Sequence, residues 1–442
     1  MIVFSYTITS RLQYILDFIG KETIGESFEL VTDIEIFRQY DGPKINYSKE
    51  RVSGSEFRIP STELLFEKEC KEQLIECFET NNYTAFFKGE GDFPFDIFAA
   101  IFYLLSRYEE YLPYKKDVYG RYAHENSLAF KENFLHLPLI NFWIEDFKKS
   151  LQLKYSSRTF HLPIAIGTPF TFLPTYDIDE AYAYKHKQWW RTAGGLTRAL
   201  VSGQWSMIAE RSAVLLGTRK DPFDSFNWMD QLHRRFQLQP LYFFLIASHT
   251  GKYDKNISPS TRVMQQLIRE YSDRYLIGIH PSWQSGDDPE KLRHEILKLG
   301  HISGRQINFS RQHYIRFTLP ETYRQLINAG IESDFSMGYG SINGFRASVA
   351  SNFFWYDLEK EEQTKLELHP FCFMEANSFY EQGLSAEQTF EELKHYVDVV
   401  RSVNGTLITI WHNSFLGTAR QFRGWKEIYE QFISLCQQRS LR

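Results

Sequence analysis

The chain has 442 residues, of which 43% are hydrophobic and 24% charged, with a formal net charge of -5. That is enough to bury two substantial cores, and the length suggests two or three domains. No basic excess exists to draw the chain to phosphate backbones or anionic membranes, so nucleic acid is not an expected partner. No stretch of about 18 uncharged apolar residues occurs, and the start, MIVFSYTITSR, lacks a basic segment followed by an apolar one. No membrane span is therefore expected, and the setting reads as cytoplasmic.

In chain order, the first 160 or so residues predict a short strand at Ile2 to Ile8, a helix from Arg11, and a second strand in ESFELVTDIEIF, which alternates in polarity. Cys70, Cys77, Cys372 and Cys436 form no CxxC pair and read as reduced thiols; Cys70 and Cys77, two helical turns apart, predict one face of a helix. FDIFAAIFYLLSRYEEYL predicts a buried packing helix. The punctuation of Pro163, Gly167 and Pro169 then marks a boundary, giving an N-terminal α/β domain over 1–165 and a second domain over 166–442.

From Phe172 onward, short apolar runs alternate with longer helical patterns, the signature of repeated β-α units. The expected strands are FTFLPTYDID, LQPLYFFLIA, YLIGIHPSW, INFSRQHYIRF, GIESDFSMGY, KLELHPFCFME and GTLITIWHN; the helices include 259–273, 289–300, 320–329 and 385–403. Seven such units suit a closed or distorted barrel or a doubly wound sheet. Segment 183–225 exceeds what one crossover needs and predicts a helical insertion. Aromatic residues make up 17% of the chain; rings of this kind fill cores and also stack on sugar faces.

Chemically able side chains gather at the ends of these strands: Asp177 and Asp179, His280, Arg311 and His313, Asp334, and His412. In parallel β/α folds that end carries the active site, and buried charge there is costly unless paired or metal-bound. Residues two apart on a strand share a face, so Asp177 and Asp179 aim at one cavity while Ile178 packs behind. A cation relieves the repulsion of two such carboxylates. For Asp179 the competing reading is a cap on the next helix. For His280 and His412 it is a hydrogen-bonded core imidazole. His412, which titrates near neutrality, otherwise suits a general acid. No phosphate loop, GxSxG elbow or HExxH is present. Metal-assisted hydrolysis is the chemistry these residues suit.

The order of the motifs resembles the polysaccharide deacetylase family, which shares the nodulation-type deacetylase domain, over roughly 172–442. TYDID is similar to its first motif, GIHPSWQ to its second, SRQHYIRF to its third, DFSMGY and GFRAS to its substrate-lining fourth, and LITIWHN to its last. The resemblance implies a distorted barrel of about seven β/α units. It also implies Asp177 as catalytic base, Asp179 and His280 as metal ligands, Arg311 orienting the base, and His412 as general acid. Trp283, Tyr339, Arg346 and Trp411, in or beside these segments, are the expected substrate-binding residues.

The second motif departs from the family: position 284 is Gln where a second ligand His is expected. His313, two residues beyond Arg311 on the same strand face, is the first candidate for the third ligand, ahead of His249 and His369. The implied cofactor is a divalent metal, zinc first, with cobalt or nickel as alternatives. The implied activity is removal of an N-acetyl or other N-acyl group from a saccharide or sugar-derived molecule. Hydrolysis of another non-peptide C–N bond, and a non-catalytic carbohydrate-binding or assembly role, are the alternatives. The sequence leaves the oligomeric state open.

Overall fold

The computed structural model describes residues 1–156 and 169–438, so the boundary expected at 165/166 lies outside the described residues. The N-terminal region builds a parallel sheet from β1 (Ile2–Phe4), β2 (Glu29–Val31), β3 (Lys44–Tyr47) and β4 (Phe57–Ile59), in the order β2-β1-β3-β4. The helix Ser10–Ile24 follows β1, its N-terminus capped by the Thr9 hydroxyl. ESFELVTDIEIF is a strand only as far as Val31. Asp33 accepts from the N–H groups of Glu35 and Ile36 and starts the helix Ile34–Gln39.

A hairpin, β5 (Phe78–Thr80) and β6 (Tyr83–Ala85), leads to the apolar helix Ile97–Leu105, all nine residues of which are buried as its composition requires. Cys70 and Cys77 lie in a stretch that is not helical, contrary to their spacing. There the N–H of Lys71 donates to the Tyr108 hydroxyl and not to a helical carbonyl.

The remainder alternates strand and helix: β7 (Thr171–Ile178), β8 (Leu241–Leu245), β9 (Leu276–His280), β10 (Phe309–Ser310), β11 (Ser333–Asp334), β12 (Phe353–Asp357), β13 (Glu362–Leu368), β14 (Phe373–Met374) and β15 (Thr406–His412). They form one sheet in the order β12-β13-β11-β10-β9-β8-β7-β15-β14. All neighbours are parallel except β12 against β13. LYFFL of β8 is buried throughout, as a central parallel strand covered on both faces must be.

The sheet has two strands more than expected. KLELHPFCFME breaks at Pro370 into β13 and β14, and the edge strand β12 returns antiparallel. No pairing joins β12 to β14 among the described residues, so the ladder is open. The helices Arg262–Arg274, Pro289–Ser303, Glu321–Asn328 and Ala386–Ser402 match expectation closely. Two more, Trp189–Val201 and Trp205–Leu215, occupy the long segment after β7.

A single apolar cluster runs through both regions, and buried polar contacts join them. Glu110 sits between Arg107 (2.8 Å) and Arg346 (2.5 Å), all three essentially inaccessible. Asn141 accepts from the Ala350 N–H at 2.8 Å, and the Tyr14 hydroxyl donates to the Phe354 carbonyl at 2.7 Å. Glu110→Gln leaves buried Arg346 without its counter-charge and Arg107 with only Glu109, at 3.6 Å, and breaking such a network costs about 3–5 kcal/mol. The expected result is a clearly lower denaturant midpoint with the unfolding slope unchanged, read by urea titration.

Candidate active site

The strand ends place Asp177, Asp179, His280 and His412 around one cavity of about 600 Å³. β7 lies between β15 and β8, with Asp177 opposite His412 on one side and Phe243 on the other. Beyond β7 the chain is held in place by side chains. Asn256 donates to the carbonyls of Ile178 and Leu245, and Asn413 donates to those of Glu180 and Phe223. The next helix does not begin until Trp189, so Asp179 is not its cap.

Asp177 is buried and accepts a 2.9 Å hydrogen bond from Arg311 Nη1, which also donates to Thr175 Oγ1 at 2.8 Å. Arg311 is further held by the Phe335 carbonyl at 3.0 Å, and its charge lies 4.4 Å from the Phe243 ring centre. Burial lowers the Arg311 pKa while Asp177 works to keep the guanidinium charged. One carboxylate oxygen of Asp177 is thus committed to Arg311. The other faces His280 Nε2 across 3.8 Å.

Three imidazoles converge on Asp179. His280 Nε2 lies 3.1 Å from Oδ1, and the Nε2 atoms of His313 and His412 each lie 3.4 Å from Oδ2. Each ring is tied through its other nitrogen. His280 Nδ1 is 2.6 Å from the Arg311 carbonyl, His313 Nδ1 is 3.1 Å from Asp254, and His412 Nδ1 is 2.7 Å from Glu375. A carbonyl or carboxylate oxygen only accepts, so each Nδ1 carries a proton, and a ring in its neutral form turns an Nε2 lone pair toward Asp179.

Lone pairs facing a carboxylate repel unless a proton or a cation lies between them. Asp179 Oδ1 is buried and lacks a hydrogen bond of acceptable geometry despite its nearness to His280. Burial alone would raise the Asp179 pKa, but His313, His412 and His280 hold it well below the usual carboxylate range. Burial disfavours a charged His313, yet Asp179 and Asp254 outweigh it and push its pKa up to about 9. His412 likewise rises well above its ordinary value: burial opposes the charge, and Glu375 and Asp179 overcome it.

The ligand-capable atoms of Asp179, His280 and His313 lie within 4.8 Å of one another. Ligands about 2.0 Å from one tetrahedral ion sit about 3.3 Å apart; Asp179 lies 3.1 Å from His280 and 3.4 Å from His313 through its two oxygens. One carboxylate with imidazole nitrogens suits zinc, cobalt or nickel. A cation entering this centre must displace the proton held on His313. Below pH 9, therefore, affinity for cobalt is expected to rise about tenfold per pH unit. Competition titration against a chelator between pH 6 and 8 checks the slope; an affinity flat with pH contradicts it.

The other expected residues fall elsewhere. Gln284 is exposed and accepts from Lys291, and His249 is exposed. His369 stacks on Phe335 at 4.2 Å and pairs with Glu367. Asp334 is buried among the hydroxyls of Ser310 and Ser336.

Of the four expected substrate-binding residues, none is on the cavity wall. Arg346 is spent on Glu110, and Tyr339 is buried beside Arg107. Trp411 points opposite to its neighbour His412 and packs on Tyr429 at 4.4 Å. Trp283 stacks on Tyr253 at 3.9 Å and so braces a wall residue from behind. The wall instead presents Tyr119, Tyr253, Tyr314, Tyr380 and Phe415, with Arg121 contributed, like Tyr119, by the N-terminal region.

Glu375 and Asp254 join the site without being among the residues expected from the sequence. Glu375 ends the apolar run FCFME, the same strand-end signal carried by the other site residues; Asp254 lies in a loop with no periodic signal.

Residues 1–156 match a family of unknown function, DUF7033. No curated protein matches the chain. Among solved structures it is similar to a Mycobacterium smegmatis protein assigned to the polysaccharide deacetylases (12% identity, 62% of this chain and 86% of that one, TM-score 0.40). It is also similar to the PuuE allantoinase (13%, 65% and 90%, 0.42) and to a Pseudomonas aeruginosa protein assigned to the polysaccharide deacetylases (14%, 61% and 86%, 0.39). At these identities and TM-scores the likenesses add no weight to the site, whose chemistry rests on its own geometry.

Proposed function

We propose that the chain is a metal-dependent hydrolase that removes an N-acyl group, acetyl first, from a saccharide or sugar-derived molecule. The observation that carries this reading is the convergence of three anchored imidazoles on Asp179 beside a second carboxylate, Asp177, oriented by an arginine. In this reading residues 166–442 form an opened, distorted β/α barrel, and residues 1–165 a companion domain that supplies part of the cavity wall.

Asp179, His280 and His313 hold the cation, His313 taking the place left by Gln284. When bound, the cation supplies Lewis-acid polarisation of an acyl carbonyl. Asp177 takes the proton of the attacking water on the oxygen that Arg311 leaves free. His412, kept protonated by Glu375, gives its Nε2 proton to the departing amine nitrogen. The rings of Tyr119, Tyr314 and Tyr380 offer stacking faces for a sugar. A cytoplasmic setting would favour a sugar precursor or biosynthetic intermediate over a wall polymer.

The test is elemental analysis of purified protein followed by acetate release from a panel of N-acetylated sugars and oligosaccharides in the presence of zinc, cobalt or nickel. Bound metal with acetate release supports the reading, and a metal-loaded protein that releases none from the whole panel sinks it.

A further inference from the structure

We infer that the N-terminal region is part of the metal centre, because Arg121 is a positioning residue that fixes the aim of His313; this rests on the proposed function above. Residues 116–122 form a tight hairpin turn. Lys116 bridges Tyr122, and Gly120 adopts φ +78°, a conformation that favours glycine. Asp117 knots the turn: its Oδ1 accepts from the N–H groups of Tyr119 (2.9 Å) and Arg121 (3.0 Å), and its Oδ2 accepts from Arg121 Nε at 2.6 Å. Arg121 is thereby held rigid, with its guanidinium 4.8 Å from the Tyr119 ring centre.

The held guanidinium lies on the cavity wall and meets the chain just beyond His313. Arg121 Nη1 donates to the Tyr314 carbonyl at 2.7 Å. Tyr314 and Ile315, the two residues after His313, have φ of 59° and 54°. Consecutive left-handed residues are strained without glycine, and the β-branched Ile315 most of all. Such a turn persists only where its surroundings hold it, and the Arg121 bond grips it at its first strained residue. Relaxation of the turn would swing the adjoining imidazole, whose ring centre is 4.6 Å from that of Tyr314, away from Asp179.

Gly340 adds an independent sign that the approach of Arg121 is built in. A Cβ at that position would collide with both the Arg121 guanidinium and the Tyr314 carbonyl. Arg121 thus acts one step beyond Asp254: Asp254 sets the rotation of the His313 ring, and Arg121 sets the backbone from which the ring projects.

The experiment measures cobalt affinity by competition, together with the visible absorption of the bound cobalt, in the wild-type full chain, Arg121→Ala and Gly340→Ala. The expected result is a 10–100-fold weaker affinity in both variants with an altered cobalt spectrum, the usual effect of removing a group that orients a ligand. Millimolar ethylguanidinium is expected to restore the affinity of Arg121→Ala, which a variant that merely fails to fold would not allow. Unchanged affinity and spectrum in both variants, or a loss in Arg121→Ala that ethylguanidinium leaves in place, overturns the inference. A wild-type chain that takes up no cobalt overturns the metal centre itself, and so separates failure of the proposed function from failure of this role for Arg121.

Discussion

Asp177→Asn is expected to retain its metal and lose about two to four orders of magnitude in turnover, while Asp179→Asn loses the metal itself. The two residues share a strand face, but their surroundings differ. Asp177 is tied to Arg311 through one oxygen, and among the described residues no imidazole nitrogen approaches it closer than His280 at 3.8 Å. Asp179 receives three imidazoles within 3.4 Å. An amide at position 177 keeps the shape and cannot accept the water's proton, so the rate falls while the metal stays; the melting temperature also drops, because buried Arg311 loses its carboxylate partner. An amide at 179 removes the one anionic ligand, and the three rings are left facing a neutral group. Metal content, melting temperature and turnover on the same preparations decide the matter. Metal lost from Asp177→Asn and kept in Asp179→Asn would reverse the roles; no change of either quantity in either variant would place the chemistry elsewhere.

His412→Ala is expected to behave like Asp177→Asn, with metal kept and turnover reduced by about two to four orders of magnitude. Glu375→Gln separates acid from ligand more finely. Burial works against a charged His412, and the Glu375 carboxylate, ahead of Asp179, is what raises its pKa above the ordinary value. With that charge removed the pKa falls. A general acid acts in its protonated form, so the alkaline fall in kcat moves to lower pH in Glu375→Gln, while the metal stoichiometry is unchanged. If the alkaline limb stays where it was, Glu375 does not tune the acid; if His412→Ala loses its metal, His412 is a ligand and the proton must come from another group.

The alternation of apolar runs and amphipathic segments after Phe172 foretold the parallel β/α architecture and four of its helices to within three residues at each end, since burial on both faces of a central strand forces long apolar runs such as LYFFL. Strand period likewise put Asp177 and Asp179 on one face and left Ile178 in the core. These are local properties, decided by side-chain periodicity within one element.

Only the tertiary structure decided the rest. INFSRQHYIRF reads as one strand, yet it pairs only at Phe309–Ser310 and then turns left-handed at Tyr314 and Ile315, a conformation held by an arginine 193 positions away in sequence. The same period that exposed His412 to the cavity hid Trp411, and the charge of Arg346 met a carboxylate from the N-terminal region before it could meet a ligand. Asp254 and Glu375 became partners of His313 and His412 through contacts 59 and 37 positions apart. Pairings of that range depend on how elements pack, and no window along the chain contains both ends of them.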